Sequence, residues 1–398
     1  MVEGEGTQPM TLHPHWGHTR LLETLSRARA KDSLPAALLI QGTRGVGKQH
    51  LALWLGRLLL CQSRTPDGPC ETCSSCRLGL KLEHPDLHWF FPLPRPKGAS
   101  TPEKLGRALE DARWETLAEI RKNPLKPVSV DGPRTLYLAA AKTLRRQAQN
   151  RPSMGDRQVF IIAEAESLAP KDSSSEAANA LLKLLEEPPN GTSLILTSAE
   201  PGRLLPTILS RTTHLHLPPL SNQEVTDFLM EVKGVEEKEA HRVGLLSQGA
   251  IGRAIRFLRE DGEVGPLEQI RAQAGNLLQA ALAPTLAAEF RTSLDFQVTG
   301  ARGLMELFDF LEEWIRDLAL MASGAEGTGF NHDESRFLED LILRWSIHPT
   351  QAGRAMEAVG EARLLAAGNV NPQLVTFGLL NGLREALTGR SDYSNRVK

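Results

Sequence analysis

Apolar residues follow two different periods along this chain. Short, nearly continuous apolar runs occur at AALLIQ (36–41), DLHWFF (86–91), QVFIIAEAE (158–166), TSLILTSAE (192–200) and HLHLPPL (214–220). Runs of this length bounded by turn residues predict buried strands. Between them the apolar positions recur at helical spacing. HLALWLGRLLLC (50–61) predicts a helix, and a second runs from Pro133, a residue suited to a helix start, to Gln149. SSEAANALLKLLEE (174–187) predicts a third, capped by its serines and stopped by Pro188 and Pro189. Strands alternating with helices imply a parallel sheet covered on both faces, an α/β fold. Residues 92–127 are rich in Pro, Lys, Arg and Glu and read as an insertion with one helix across 102–121.

After Leu220 the strand pattern stops. Short helices are expected to about Glu260, then a linker at Asp261–Pro266, then long amphipathic helices to the end. Three units follow: a core over 11–217, a small helical domain over 218–262, and an all-α bundle over 266–398. No internal repeat is visible.

Composition narrows the class. The 398 residues are 41% hydrophobic and 24% charged, and no apolar run nears the roughly eighteen residues of a membrane span. The opening MVEGEGTQPM lacks the basic and apolar regions of a secretory signal. A net charge of -2 is low for a chain that holds DNA alone by counterion release, so any nucleic-acid contact should be local or shared. The four cysteines form one cluster, unlike a disulfide framework, and a reducing cytoplasm is the expected home.

Those cysteines, Cys61, Cys70, Cys73 and Cys76, have the spacing C-x8-C-x2-C-x2-C. Four thiolates close a tetrahedral shell, which points to structural zinc contributing about 10–16 kcal/mol to folding of the module. Redox chemistry is the rival reading of C-x-x-C, but no thioredoxin-like context surrounds it. His84 and His88 are surplus to a complete shell and read as packing or surface residues.

GTRGVGKQ (42–49) places Gly42, Gly47 and Lys48 as a phosphate loop requires, with Gly45 inside the loop, between a predicted strand and a predicted helix. Glycines let backbone N–H groups turn toward phosphate, the helix adds its positive end, and the lysine neutralises the outer phosphates. The Ser/Thr that would hold magnesium is replaced by Gln49, whose longer side chain suits octahedral geometry poorly. The second magnesium ligand is expected at the end of the 158–166 strand, where Ala163 stands, followed by Glu164 at the place of a water-activating glutamate. With both ligands missing, hydrolysis by this chain is not expected. Binding of nucleotide without hydrolysis remains open, as does a chance match to a Gly-rich loop.

SSEAANALLKLLEEPPNGTSLILTSAEPGRLLPTILSRT (174–212) resembles the core of the clamp-loader branch of the AAA+ proteins. HPDLHWF (84–90), SVDGPRTL (129–136), the cysteine cluster, EEWIRDLAL (312–320) and NVNPQLVTFGLLNGLREAL (369–387) are also similar to bacterial members. The resemblance implies a P-loop core with a zinc module, a helical lid and a C-terminal collar. It implies work in DNA replication, as part of the DNA polymerase III assembly. The partners implied are gamma or tau motor subunits, the delta subunit, a sliding clamp and primer-template DNA. Gln49 and Ala163 point to the delta-prime type, which has lost its ATPase residues; the alternative is an ATP-hydrolysing gamma/tau-type motor. In the family an arginine of a Ser-Arg-Cys motif reaches a neighbour's ATP; here Ser210-Arg211-Thr212 matches, with threonine for cysteine. Alone, Arg211 would read as a surface arginine paired with an acid. Arg253, in GAIGRAI (249–255), resembles a second nucleotide sensor.

Lys142, Arg145, Arg146 and Gln149 share one helix face, which is either a solvated basic face or a contact to DNA phosphates. A stand-alone zinc-stabilised DNA-binding protein is a third reading, disfavoured by the near-neutral charge.

Overall fold

A computed structural model describes residues 15–63, 65–125, 134–169, 175–260, 262–282, 300–325, 329–368 and 370–389. The chain forms two compact units, Met1–Val235 with Gly249–Ile255, and Glu236–Gln248 with Arg256–Lys398. Among the described residues no helix is long and apolar enough to cross a membrane.

The first unit is built on five parallel strands: β1 (Ala37–Gln41), β2 (Leu87–Phe90), β5 (Gln158–Ile162), β6 (Thr192–Ser198) and β7 (Thr213–His216). Their order is β2-β5-β6-β1-β7. The inner strands β5 and β6 are buried at every position, as expected where helices cover both faces. Alternation along β1 divides the core. Leu39 faces one side with Phe160, Leu194 and Leu196, against Leu144, Leu181 and Leu184 of α5 (Leu138–Ala148) and α6 (Glu176–Glu186). Leu38 and Ile40 face the other with Ile161 and Ile195, against Leu51, Leu55 and Leu58 of α2 (Lys48–Leu60). Each such fully buried side chain contributes about 1.5–3 kcal/mol relative to exposure.

Several boundaries differ from the sequence reading. The helix expected from Pro133 begins at Leu138, and Pro133 itself lies outside the described residues. Arg134–Thr135 instead form a short strand, β4, paired antiparallel with β3 (Leu93–Pro94). Thr135 and Leu136 both donate to the Ser167 carbonyl, which fixes that segment as extended chain. The strand expected to reach Glu166 stops at Ile162, because Glu164 takes a left-handed φ of 49° and residues 165–168 coil into a 3-10 turn. Ser175 sits at the α6 N-cap but makes no capping hydrogen bond, and Ser174 lies outside the described residues.

Two helices complete the setting of the sites. The expected insertion helix is α4 (Pro102–Lys122), capped by Thr101, whose hydroxyl accepts from the Lys104 N–H. An N-terminal helix, α1 (Thr19–Ala30), was not expected from the sequence; only its Leu25 and two polar residues are buried. The segment after Leu220 is helical as expected: α8 (Asn222–Glu231), α9 (Glu237–Leu246) and α10 (Ile251–Phe257). A Ser221–Glu224 capping box starts α8.

In the second unit, α11 (Pro266–Ala281), α12 (Gly300–Ala322), α13 (Ser335–Trp345), α14 (Pro349–Ala367) and α15 (Pro372–Thr388) form an all-α bundle. Helix α14 packs on α12 and α15, and α11 packs on α12. Phe308, Leu311, Ile315, Val359, Leu380 and Leu383 fill its core. The bundle also buries an ionic latch. Arg271 donates to Asn331 at 2.7 Å, to Glu268 at 3.1 Å and to Asp333. Asp317 accepts from both nitrogens of Asn331 at 2.7 Å. Each buried polar group thereby has a partner, which its burial demands.

Candidate nucleotide loop and metal centre

Strand β1 delivers Gly42 to the loop, and Gly47 caps α2 at φ 103°, a left-handed geometry that suits glycine. Close approach explains two further glycines. A Cβ on Gly42 would lie 2.4 Å from the Leu217 carbonyl oxygen, and one on Gly45 3.0 Å from the Arg253 nitrogen. The N–H of Gly252 donates to the Gly45 carbonyl at 2.8 Å, so the start of α10 is sewn to the loop. Arg253 is thus brought to the loop through its backbone.

Lys48 is buried, and its ammonium donates to the carbonyls of Gly42 at 2.9 Å and Thr43 at 2.7 Å. Burial lowers its pKa from 10.5 to about 8, with Arg44 adding to the effect and the carboxylates of Glu166 and Glu164 opposing it. Gln49 occupies the first turn of α2 and is half-buried. A side-chain amide stands where a short hydroxyl would reach magnesium.

At the end of β5, Ala163 is completely buried and offers no ligand. Glu164 follows, half-buried, with its N–H donating to the buried Thr197 hydroxyl of β6 at 3.2 Å. The neighbouring strand end is tied to the loop as well, since Gly42 N–H donates to the Ser198 carbonyl at 3.3 Å. The structure adds a residue that strand-end reasoning passed over. Glu166 is buried, accepts from Ala199 N–H at 3.2 Å, and leaves its Oε2 without a hydrogen-bond partner among the described residues. Its position on the 3-10 turn, rather than on the strand, hid it from a pattern of alternation.

The four cysteine sulfurs lie within 4.8 Å of one another. A tetrahedral shell with sulfur about 2.3 Å from the metal has sulfurs roughly 3.8 Å apart, so the residues fit a metal with slight contraction. Cys61 ends α2 and Cys73 caps α3 (Ser74–Leu80), so two helix ends hold the module. Backbone N–H groups of Cys70, Cys73 and Cys76 each point at a cluster sulfur at 3.4 Å. Such donation stabilises thiolate. The N–H of Cys73 is the main cause holding the Cys70 thiol down at about 5, whereas burial raises the Cys61 and Cys76 thiols. Arg57, buried beside the cluster, pairs with Glu71 at 3.4 Å and interacts electrostatically with Cys76. It is well placed to offset thiolate charge, and sequence alone gave it no distinction from an interior helix arginine.

Arg211 follows α7 (Pro206–Leu209), a single helical turn. Its guanidinium donates to the Thr207 carbonyl at 3.1 Å and pairs with Glu186 at 3.5 Å, while Nε has no partner among the described residues. The partly exposed arginine is therefore paired with an acid within the chain. On α5, Lys142, Arg145 and Arg146 are exposed, as is Gln149 just beyond its end, opposite buried Ala141, Leu144 and Ala148. His84 and His88 do not join the cysteines; both belong to a separate cavity beside β2.

A sequence model of the family described as DNA polymerase III, delta subunit, matches residues 17–221. The delta' subunit of Bacillus subtilis is 28% identical over 244 residues, 61% of this chain and 59% of that protein. The delta' subunit of Pseudomonas aeruginosa is 30% identical over 278 residues, 70% of each chain. The tau subunit of Escherichia coli is 27% identical over 248 residues, 62% of this chain but 31% of tau. This chain therefore spans less than two thirds of the Bacillus subtilis relative and about a third of tau. The matched segment contains the phosphate loop, the four cysteines and Arg211, and the chain belongs to the DNA polymerase III delta-subunit family as a clamp-loader AAA+ protein related to the delta', tau and gamma subunits.

Proposed function

We propose that this chain is a delta-prime-type subunit of a clamp loader, a stator that hydrolyses no ATP and assists motor neighbours. One observation carries the reading: Gln49 and the buried Ala163 stand at both positions where a phosphate-loop ATPase holds magnesium. Magnesium bridges the last two phosphates and neutralises charge developing in transfer, so losing both protein ligands removes the main electrostatic device. The loop keeps its glycines and Lys48, which favours a retained fold and permits nucleotide to bind without turnover.

In this reading Arg211 is the chemical contribution. A guanidinium is always charged and grips phosphate oxygens as a fork. It would exchange Glu186 for the nucleotide of a gamma or tau neighbour. The four cysteines hold structural zinc, supplying charge neutralisation and cross-linking to a loop that has little core of its own. The exposed basic face of α5 contacts primer-template phosphates. The all-α bundle serves as collar toward the other subunits; Leu364 and Leu374, 76% and 65% exposed, give it apolar surface for that purpose.

The test is reconstitution with a motor subunit and delta, measuring ATP hydrolysis with this chain and with Arg211→Ala. A rate that depends on Arg211, with none from this chain alone, supports the stator role. Magnesium-dependent turnover by the chain alone would instead identify a motor.

A further inference from the structure

Arg57 carries a charge into the interior, with a side chain only 1% exposed. It lies one helical turn before Cys61, the residue that ends α2. Its stem crosses to α3. A Cβ on Gly79 would lie 2.8 Å from Arg57 Cγ and 3.2 Å from its Cδ, so the stem fills the notch that this glycine leaves. Gly79 stands three residues after Cys76, on the same face of α3. Arg57 is thus held between the two helices that present Cys61 and Cys76, the two buried members of the cluster.

The protein compensates this guanidinium poorly. Its ion pair is with Glu71, at 3.4 Å, and that carboxylate is 51% exposed, so water screens much of its charge. Arg57 Nε has no hydrogen-bond partner among the described residues. After Glu71, Cys76 is the next group whose charge favours the cation. Glu71 belongs to the same shell: at a left-handed φ of 56° its backbone N–H is hydrogen-bonded to Cys76. A buried cation is costly unless anionic groups lie against it. The cluster supplies them, because four thiolates around a divalent ion leave a net negative charge in the interior.

We propose that Arg57 is the buried counter-charge of the metal centre, a positioning residue that raises the affinity of the four cysteines for a divalent, thiophilic ion. The inference rests on the reading of those cysteines as a zinc site. A charge at this depth acts more strongly than one at the surface, because little water stands between it and the sulfurs. Arg77 directly follows Cys76 but is exposed, so solvent and salt screen it and it contributes little.

The test is chelator competition on the full chain, which gives the zinc affinity, beside thermal melting with and without zinc. Arg57→Met is expected to bind zinc about 10–100-fold more weakly than the native chain, the scale of a lost partner behind a metal ligand, and to show a smaller zinc-induced rise in melting temperature. Arg57→Lys, which returns the charge, should recover most of the affinity, and Arg77→Met should leave it unchanged. Arg57→Gln, neutral and polar, takes the place of Arg57→Met should that variant not fold. Native affinity in the neutral variant, a loss in Arg57→Lys as large as in Arg57→Met, or an equal loss in Arg77→Met overturns the counter-charge while leaving the zinc site standing. A native chain that takes up no zinc overturns the metal reading itself, and the inference with it.

Discussion

The ammonium of Lys48 donates to the carbonyl of Gly42 at 2.9 Å, so the cation of the phosphate loop is held by the loop itself. Burial also lowers its pKa to about 8. The sign of the resulting pH effect follows from proton counts. Between about pH 8 and pH 10.5 the unfolded chain keeps the Lys48 proton and the folded chain has lost it. Stability contributed through this residue therefore rises with pH across that window. The expected observation is that the stability difference between the native chain and Lys48→Met changes in this direction over the window and is flat below it, measured by denaturant titration.

Restoring the missing magnesium ligands should change nucleotide binding. Gln49→Thr with Ala163→Asp is expected to give ATP affinity that increases with magnesium, whereas the native chain shows no magnesium dependence and releases no phosphate. Calorimetric titration with and without magnesium, beside a phosphate-release assay, measures both.

Arg211→Ala is expected to leave the melting temperature nearly unchanged. Its intrachain ion pair is partly solvated, and such pairs contribute only about 0–1 kcal/mol. In a reconstituted complex the same change should lower the motor's stimulated rate by about 10³-fold or more. Glu186→Gln, which frees the arginine, should not lower that rate.

The purified chain is expected to carry one zinc per molecule by elemental analysis, lost in Cys73→Ser together with a fall in melting temperature. Acidification should release the metal. Binding needs all four thiolates, and burial raises the Cys61 and Cys76 thiols, so their protons compete as pH falls.

Arg271→Ala in the helical bundle should destabilise that unit by about 1–3 kcal/mol, because Asn331, Asp333 and Glu268 lose a buried hydrogen-bonding partner while Arg242 still pairs with Glu268 at 2.9 Å and Asp333 at 3.2 Å. Urea unfolding followed by Trp314 fluorescence reports it locally, since that indole donates to the Arg271 carbonyl at 3.2 Å.

The positions of β1, β5 and β6 and of α2, α4 and α6 were readable because burial on both faces writes continuous apolar runs and helical stripes, whereas β7, expected to be buried, lies largely exposed at the sheet edge. Helix α1 was missed because polar residues dominate it and few of its side chains are buried. The start at Pro133 misled because a proline cue is local, whereas the pairing of Arg134–Thr135 with Leu93–Pro94 is made across a long sequence gap. At the sites, the glycines, Lys48 and the cysteines were legible because phosphate and metal chemistry fix their spacing. Glu166 and Arg57 were not. Each matters through what it faces, and no spacing rule records that.

By itself the sequence determined the α/β alternation, the glycines and lysine of the phosphate loop, Gln49 and Ala163 beside it, and the four-sulfur donor set. Those properties depend on residue type and short-range order, which the chain carries whether folded or not. Only the tertiary structure decided that Lys48 is bound by its own loop, that Arg211 pairs with Glu186, and that buried Glu166 accepts from the Ala199 N–H. The Arg211–Glu186 and Glu166–Ala199 contacts join residues distant in the chain, Lys48 turns back on the carbonyls of its own loop, and the fold sets the charge and hydrogen bonding of each.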